Sequence, residues 1–165
     1  MGSLEGLAPV SGGYAMLPVA DAFNWTEATT DLGTGSWYLV AFRSVRQPGA
    51  DEERLALYDE FAHQEAARCP GFVHYFKGPT TNDGRCMSFC LWNSRTEARA
   101  SAGRPAHTQA AALTHEAYQS YTLEFHRVRR LAGAGFTFEP YDAPDEQPAP
   151  EPFPSGPLAP SPLPA

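Results

Sequence analysis

The stretch Ser36–Arg46, SWYLVAFRSVR, decides the fold. Trp37, Leu39 and Ala41 fall on one parity, and Tyr38, Val40 and Phe42 on the other. A strand that is apolar on both sides is buried on both sides. Downstream, Gln47-Pro48-Gly49 breaks the strand. Asp51 to Arg68 then reads as a helix, with Asp51, Glu52 and Glu53 crowding its first turn to complement the helix dipole. Leu55, Tyr58, Phe61, Ala62 and Ala66 form its apolar stripe, and Pro70-Gly71 ends it. A second strand runs from Phe72 to Lys77. The polar loop Gly78–Gly84 leads to a third strand, Cys86 to Trp92, again apolar on both faces. A helical region from Thr96 to about Ser120 is interrupted at Gly103-Arg104-Pro105, which predicts two pieces. Tyr121 to Arg129 is the fourth strand.

This order is the split βαβ of ferredoxin-like domains. It predicts an α+β domain over residues 36–130. Helices on one face leave the other apolar face in need of a cover, and a second copy packing sheet to sheet would supply it; a homodimer is therefore expected. Residues 1–35 read as an extension packing on the domain. Within it Asn24, three residues before Glu27, predicts a helix N-cap, with Phe23 and Trp25 covering part of the sheet. Residues 131–165 read as an acidic, proline-rich disordered tail: ten prolines fall in the last 26 residues. A docking partner with a proline-binding groove is its sharper reading.

The formal net charge is −7, but five acids lie between Glu139 and Ala165 with no Lys or Arg, so the rest of the chain is close to neutral. No basic patch extends beyond Arg127, Arg129 and Arg130, which argues against nucleic acid as a partner. No apolar run is long enough to span a bilayer, and the N-terminus carries no secretory pattern. Cys69, Cys86 and Cys90 are an odd number without framework spacing, as in a reduced, cytoplasmic protein.

The candidate chemistry lies in histidines and aromatics. His74, read at the parity of Phe72 and Phe76, would be partly desolvated, which lowers its pKa and suits a base. His107 follows Pro105 at a helix start, where a neutral imidazole could act as general base. Trp92 ends the third strand and could stack on a flat ligand. His126 suits a cross-strand ion pair, and His63 reads as exposed in mid-helix. No metal site is expected: Cys86 and Cys90 share a face but stand roughly 13 Å apart along the strand. There is no phosphate cradle and no nucleophile elbow.

Three stretches together resemble the antibiotic biosynthesis monooxygenase-like family: Tyr38-Leu39-Val40-Ala41-Phe42-Arg43, Cys69-Pro70-Gly71-Phe72-Val73-His74-Tyr75, and Phe89 to Ala98 followed by Arg104-Pro105-Ala106-His107. The resemblance covers about residues 36–130. It implies a dimeric α+β barrel with a pocket between sheet and helices, and a monooxygenase-like enzyme acting on a hydrophobic aromatic molecule. It implies Trp92 and His107 as site positions, with no cofactor required; Tyr38 and Phe61 are further candidate substrate contacts beside Trp92, and His74 is a second candidate base beside His107. A non-redox cyclase or isomerase, a small-molecule-binding protein and a haem-binding protein are the alternatives within the fold. The sequence departs from the quinone-forming members, which carry a third-strand asparagine where Cys86-Met87-Ser88 stands here. The haem-degrading members use a helix histidine and an upstream tryptophan, whose places fall near Ala111 and Ser101. His115 would be the haem ligand only with a shifted helix register.

Overall fold

A computed structural model describes residues 4–141. The central strand β3 spans Gly35–Arg46. Helix α2, Glu52–Ala66, starts where the Asp51 side chain accepts the Arg54 amide at 3.0 Å, with Glu52 and Glu53 in its first turn. It ends before Gly71, whose φ of +78° suits the glycine there. Strands β4, Phe72–Phe76, and β5, Arg85–Trp92, follow. Helix α3, Arg95–Ala102, is capped by Ser94, which accepts the Glu97 amide while donating to the Glu97 carboxylate. Helix α4, Pro105–Ala112, begins with its proline at the first turn. Its amides Ala106 and His107 donate to the Glu65 carboxylate of α2, so one helix caps another. The short helix α5, Thr114–Ala117, leads into β6, Tyr118–Arg130. The second helical region is thus three pieces, broken where Gly103-Arg104-Pro105 predicts and again at Leu113.

The strands pair antiparallel in the order β4-β5-β3-β6-β7, where β7 is Phe136–Pro140. The ferredoxin-like βαββαβ arrangement is present, but the closed barrel implied by the resemblance is overturned. The sheet is open, with β4 and β7 at its edges. Strand β7 carries the sheet past residue 130, into the segment that reads from sequence as tail. The proline-rich stretch from residue 142 lies outside the described residues.

The second apolar face is covered by the chain itself. Residues 4–28 fold over it through strand β1, Leu4–Glu5, a 3-10 turn at Tyr14–Met16 and the short helix α1, Val19–Ala22; β1 pairs with β2, Thr29–Thr30. Tyr14, Val19, Phe23 and Trp25 join Leu39, Ala41, Met87, Phe89, Leu91 and Val128 in one core. Phe23 lies 5.0 Å from Phe76 and 5.5 Å from Phe89 between ring centroids, and Trp25 lies 4.9 Å from Phe138. These tilted and edge-on pairs each contribute about 0.5–1.5 kcal/mol beyond area burial. The indole N–H of Trp25 donates to the Val19 carbonyl at 2.9 Å, so this buried donor is satisfied. An apolar face that calls for a dimer when only strands are read finds its cover within the same chain.

Asn24 caps no helix. Its side chain accepts the Ala8 amide at 2.7 Å and donates to the Gly6 carbonyl, tying two passes of the N-terminal segment together. An Asn side chain satisfies loop amides as readily as helix amides.

Candidate functional site

The two faces of the sheet differ in how tightly they are closed. On the face under the N-terminal segment, Leu39, Ala41, Met87 and Phe89 are all 0% exposed. On the helix face of the same two strands, Val40, Phe42, Ser88 and Cys90 are only half-buried. Helix α4 buries none of its residues, and α2 buries only Ala66. The helices thus cover their face of the sheet less tightly than the N-terminal segment covers the other.

One end of this helix face is closed. Tyr38 and Trp92 are register partners and each is 4% exposed, packed with Ala66, Cys69 and Ala98. Phe72 meets Trp92 edge-on at 5.4 Å. Along the floor run Tyr75, Cys90, Tyr121 and Phe125, all half-buried. Tyr75 reaches from β4 to α2, where its hydroxyl donates to Asp59 Oδ1 at 2.6 Å; Lys77 Nζ pairs with Asp59 Oδ2 at 3.1 Å. The His63 ring packs 4.9 Å from Tyr75. Burial, and then the Asp59 charge, raise Tyr75 above the usual phenol range. Burial likewise pushes the Cys90 thiol up to about 12, again with Asp59 adding to it. Tyr118 and Tyr121 are raised mainly by burial, and the Asp59 charge contributes at both. One carboxylate is thus felt by three tyrosines and a cysteine.

The residues named from the sequence fall in different places. Tyr38 and Trp92 come together as the closed end. Phe61 is 42% exposed on α2, and His115 is exposed on α5. His107 sits in the first turn of α4, where α4 meets α2. Burial holds its pKa below the usual histidine value; a hydrogen bond to the Ala102 backbone and the Glu65 charge act in the opposite direction. His74 faces the other way. A register shift between Phe72 and His74 places His74 opposite Leu91, over the core beneath the N-terminal segment, while Phe72 stays opposite Trp92. His74 therefore does not share Phe72's face, and it shares no space with Trp92. His63, read as exposed, is half-buried against Phe72 and Tyr75.

The Asp59–Tyr75 pair is absent from the sequence reading. A signal for it exists: Asp59 lies beside Tyr58 on the inward side of an amphipathic helix, where an acid needs a partner.

A concavity of about 470 Å³ lies between residues 15–18 and strands β3, β5 and β6. Its arginines already have partners: Arg43 pairs with Glu124 and Arg85 with Asp83. Among the described residues, no three His, Cys, Asp or Glu are grouped to hold a metal ion, and no helix is long and apolar enough to cross a membrane.

Split βαβ connectivity, with one sheet face sealed and the other more loosely covered by helices, defines an α+β protein of the ferredoxin-like kind. The chain belongs to the PB2B2.08-like family, whose model matches residues 1–140, a span that takes in both the N-terminal segment and β7. Among solved structures, protein SO0527 from Shewanella oneidensis is 12% identical with a TM-score of 0.50, over 56% of this chain and 90% of that one. SnoaB, a cofactor-independent oxygenase from Streptomyces nogalater, is 14% identical with a TM-score of 0.48, over 60% of this chain and 98% of that one. Rv0793 from Mycobacterium tuberculosis is 18% identical with a TM-score of 0.47, over 59% and 96%. At such identities the likeness is one of fold alone. No curated protein matches the chain.

Proposed function

We propose that the chain is an oxygenase-type enzyme that oxidises a hydrophobic aromatic small molecule in the cleft between helices and sheet. The observation that carries this reading is the unequal closure of the two faces. Val40, Phe42 and Cys90 stay half-buried on strands whose opposite-facing residues are fully dry. An aromatic-floored, partly open space of this kind suits a flat apolar ligand.

The chemistry follows from electron counting. O2 takes four electrons on its way to water, and with no cofactor all four come from the substrate. A methylene carbon flanked by aromatic rings meets that demand. It loses both hydrogens and gains one oxygen atom to become a ketone, while the second oxygen atom leaves with those hydrogens as water. The substrate must first lose a proton, so that a carbanion or phenolate can pass one electron to O2. His107, kept neutral by burial, is the base we assign to that step. The closed end at Tyr38 and Trp92 sets how far the ring enters. Cys69, Cys86 and Cys90 are free, which fits work in a reducing compartment such as the cytoplasm.

Oxygen uptake with anthrone, which carries such a methylene, tests the reading. One O2 consumed per ketone formed, with turnover lost in His107→Ala while the far-UV spectrum is kept, supports it. Binding without uptake would favour a cyclase, isomerase or binding protein. A saturable Soret band on hemin titration would favour haem chemistry instead, and the cofactor-free reading would then fall.

A further inference from the structure

The hydroxyl of Tyr75 has one proton, and that proton is committed. It is donated to Asp59 Oδ1 at 2.6 Å, a short bond of the charge-assisted type. Burial and the Asp59 charge keep Tyr75 in its neutral form, so the proton is present to be donated. Lys77 pairs with Oδ2 of the same carboxylate at 3.1 Å. The Tyr75 oxygen receives no hydrogen bond from any described residue. Across to β5, Tyr75 stands opposite Cys90, its register partner. A phenol in this state accepts hydrogen bonds and has none left to give.

We infer that Tyr75, oriented by Asp59, is the specificity-determining residue of the cleft and selects aromatic ligands that carry a free hydroxyl over their methyl ethers. This rests on the reading that the cleft takes an aromatic small molecule. A ring hydroxyl donates to the Tyr75 oxygen. An ether or ketone oxygen at the same place meets lone pair against lone pair, and a polar group left unpaired on closure weakens binding. The discrimination is set by proton direction and not by size: the same tyrosine without Asp59 could donate, and the preference would narrow.

The test is a calorimetric titration of the full chain with 1-naphthol and with 1-methoxynaphthalene. The wild type is expected to hold the naphthol about tenfold tighter or more. In Tyr75→Phe the ratio should fall close to one, chiefly by loss of naphthol affinity. In Asp59→Ala the freed Tyr75 proton should tighten ether binding and narrow the ratio from the other side. This second variant keeps the proposal testable if Tyr75→Phe fails to fold. A tenfold preference that survives in either folded variant overturns the inference while leaving the cleft as a binding site. Failure of both probes to bind the wild type overturns the small-molecule reading itself, and the inference with it.

Discussion

Arg43 Nη1 donates to the carbonyl oxygen of Ala15 at 2.7 Å, across from strand β3 to the N-terminal segment. The same guanidinium donates through Nη2 to the Leu17 carbonyl at 2.7 Å and through Nε to Glu124 at 2.9 Å. One side chain thus joins two strands to the segment that seals their face. Arginine suits this place because its planar fork serves several acceptors at once.

Arg43→Ala should therefore destabilise the protein by about 3 kcal/mol, the scale of one or two hydrogen bonds to a charged group. Urea denaturation measures the loss. Chymotrypsin should also cut sooner near Tyr14, Phe23 or Trp25. An unchanged urea midpoint would mean that the aromatic anchors hold the segment without the arginine.

Gly78 is wedged where a methyl group would overlap the Met87 carbonyl oxygen and the Tyr14 hydroxyl. Tyr14 uses that hydroxyl to donate to the Pro79 carbonyl at 2.7 Å and to accept the Met87 amide. Gly78→Ala should cost about 1–3 kcal/mol or more through forced backbone movement. Gly12→Ala, where nothing lies within 4 Å, is the control and should shift the thermal midpoint little.

Acid should weaken the fold before the carboxylates titrate. Burial lowers the folded-state pKa of His74, His107 and His126; the His63 charge adds to the shift at His74, and Arg43 adds to it at His126 while Glu124 opposes it. With folded pKa values below the unfolded value of about 6.5, the unfolded state binds more protons in that window, so stability rises with pH. The three contributions are fully present above the unfolded value and are lost as pH falls through the folded ones. Between pH 7 and 5 the loss should be on the order of 1–2 kcal/mol, read from denaturation midpoints. His74→Gln should flatten the slope. A midpoint constant over this range would remove the assignment.

Because the chain covers its own second face, this 165-residue chain should sediment as a single 17.9 kDa species. A twofold mass at micromolar concentration would show that another surface pairs, since Leu39, Ala41 and Phe89 are already fully enclosed.

Much of the fold is legible because strands and helices write their periods into sequence. The β3 stretch alternates apolar on both parities, the acids at 51–53 mark a helix start, and Gly103-Arg104-Pro105 breaks the second helical region. The cover on the second face is harder to read. Tyr14, Val19, Phe23 and Trp25 sit in largely irregular chain, where apolar residues follow no period, so a partner copy is the simpler cover to expect. His74 lands on the wrong face because counting parity assumes one residue per step, and the shift between Phe72 and His74 inserts an extra one. Nothing in Phe72-Val73-His74 announces it. Asn24 carries a capping side chain, but the amide that it satisfies belongs to a loop sixteen residues back. For the cleft, Trp92 and Tyr38 stand out as aromatics on neighbouring strand ends. Asp59 stands out less: its place on the inward side of the helix shows that it needs a partner, but not that the partner is Tyr75 on another element.

The sealed face also sets an order of events during synthesis. Residues 4–28 leave the ribosome before the sheet they cover, yet Trp25 finds its neighbours at Phe89, Phe136 and Phe138, the last two of them in β7. A segment made before the sheet docks only once the sheet is complete. Until β7 emerges, the apolar side of β3 and β5 has no complete lid. Such long-range closure makes for slow folding, with greasy surface exposed meanwhile. A nascent chain of this design gains from a chaperone that holds the half-made sheet until its own beginning can fold back onto it.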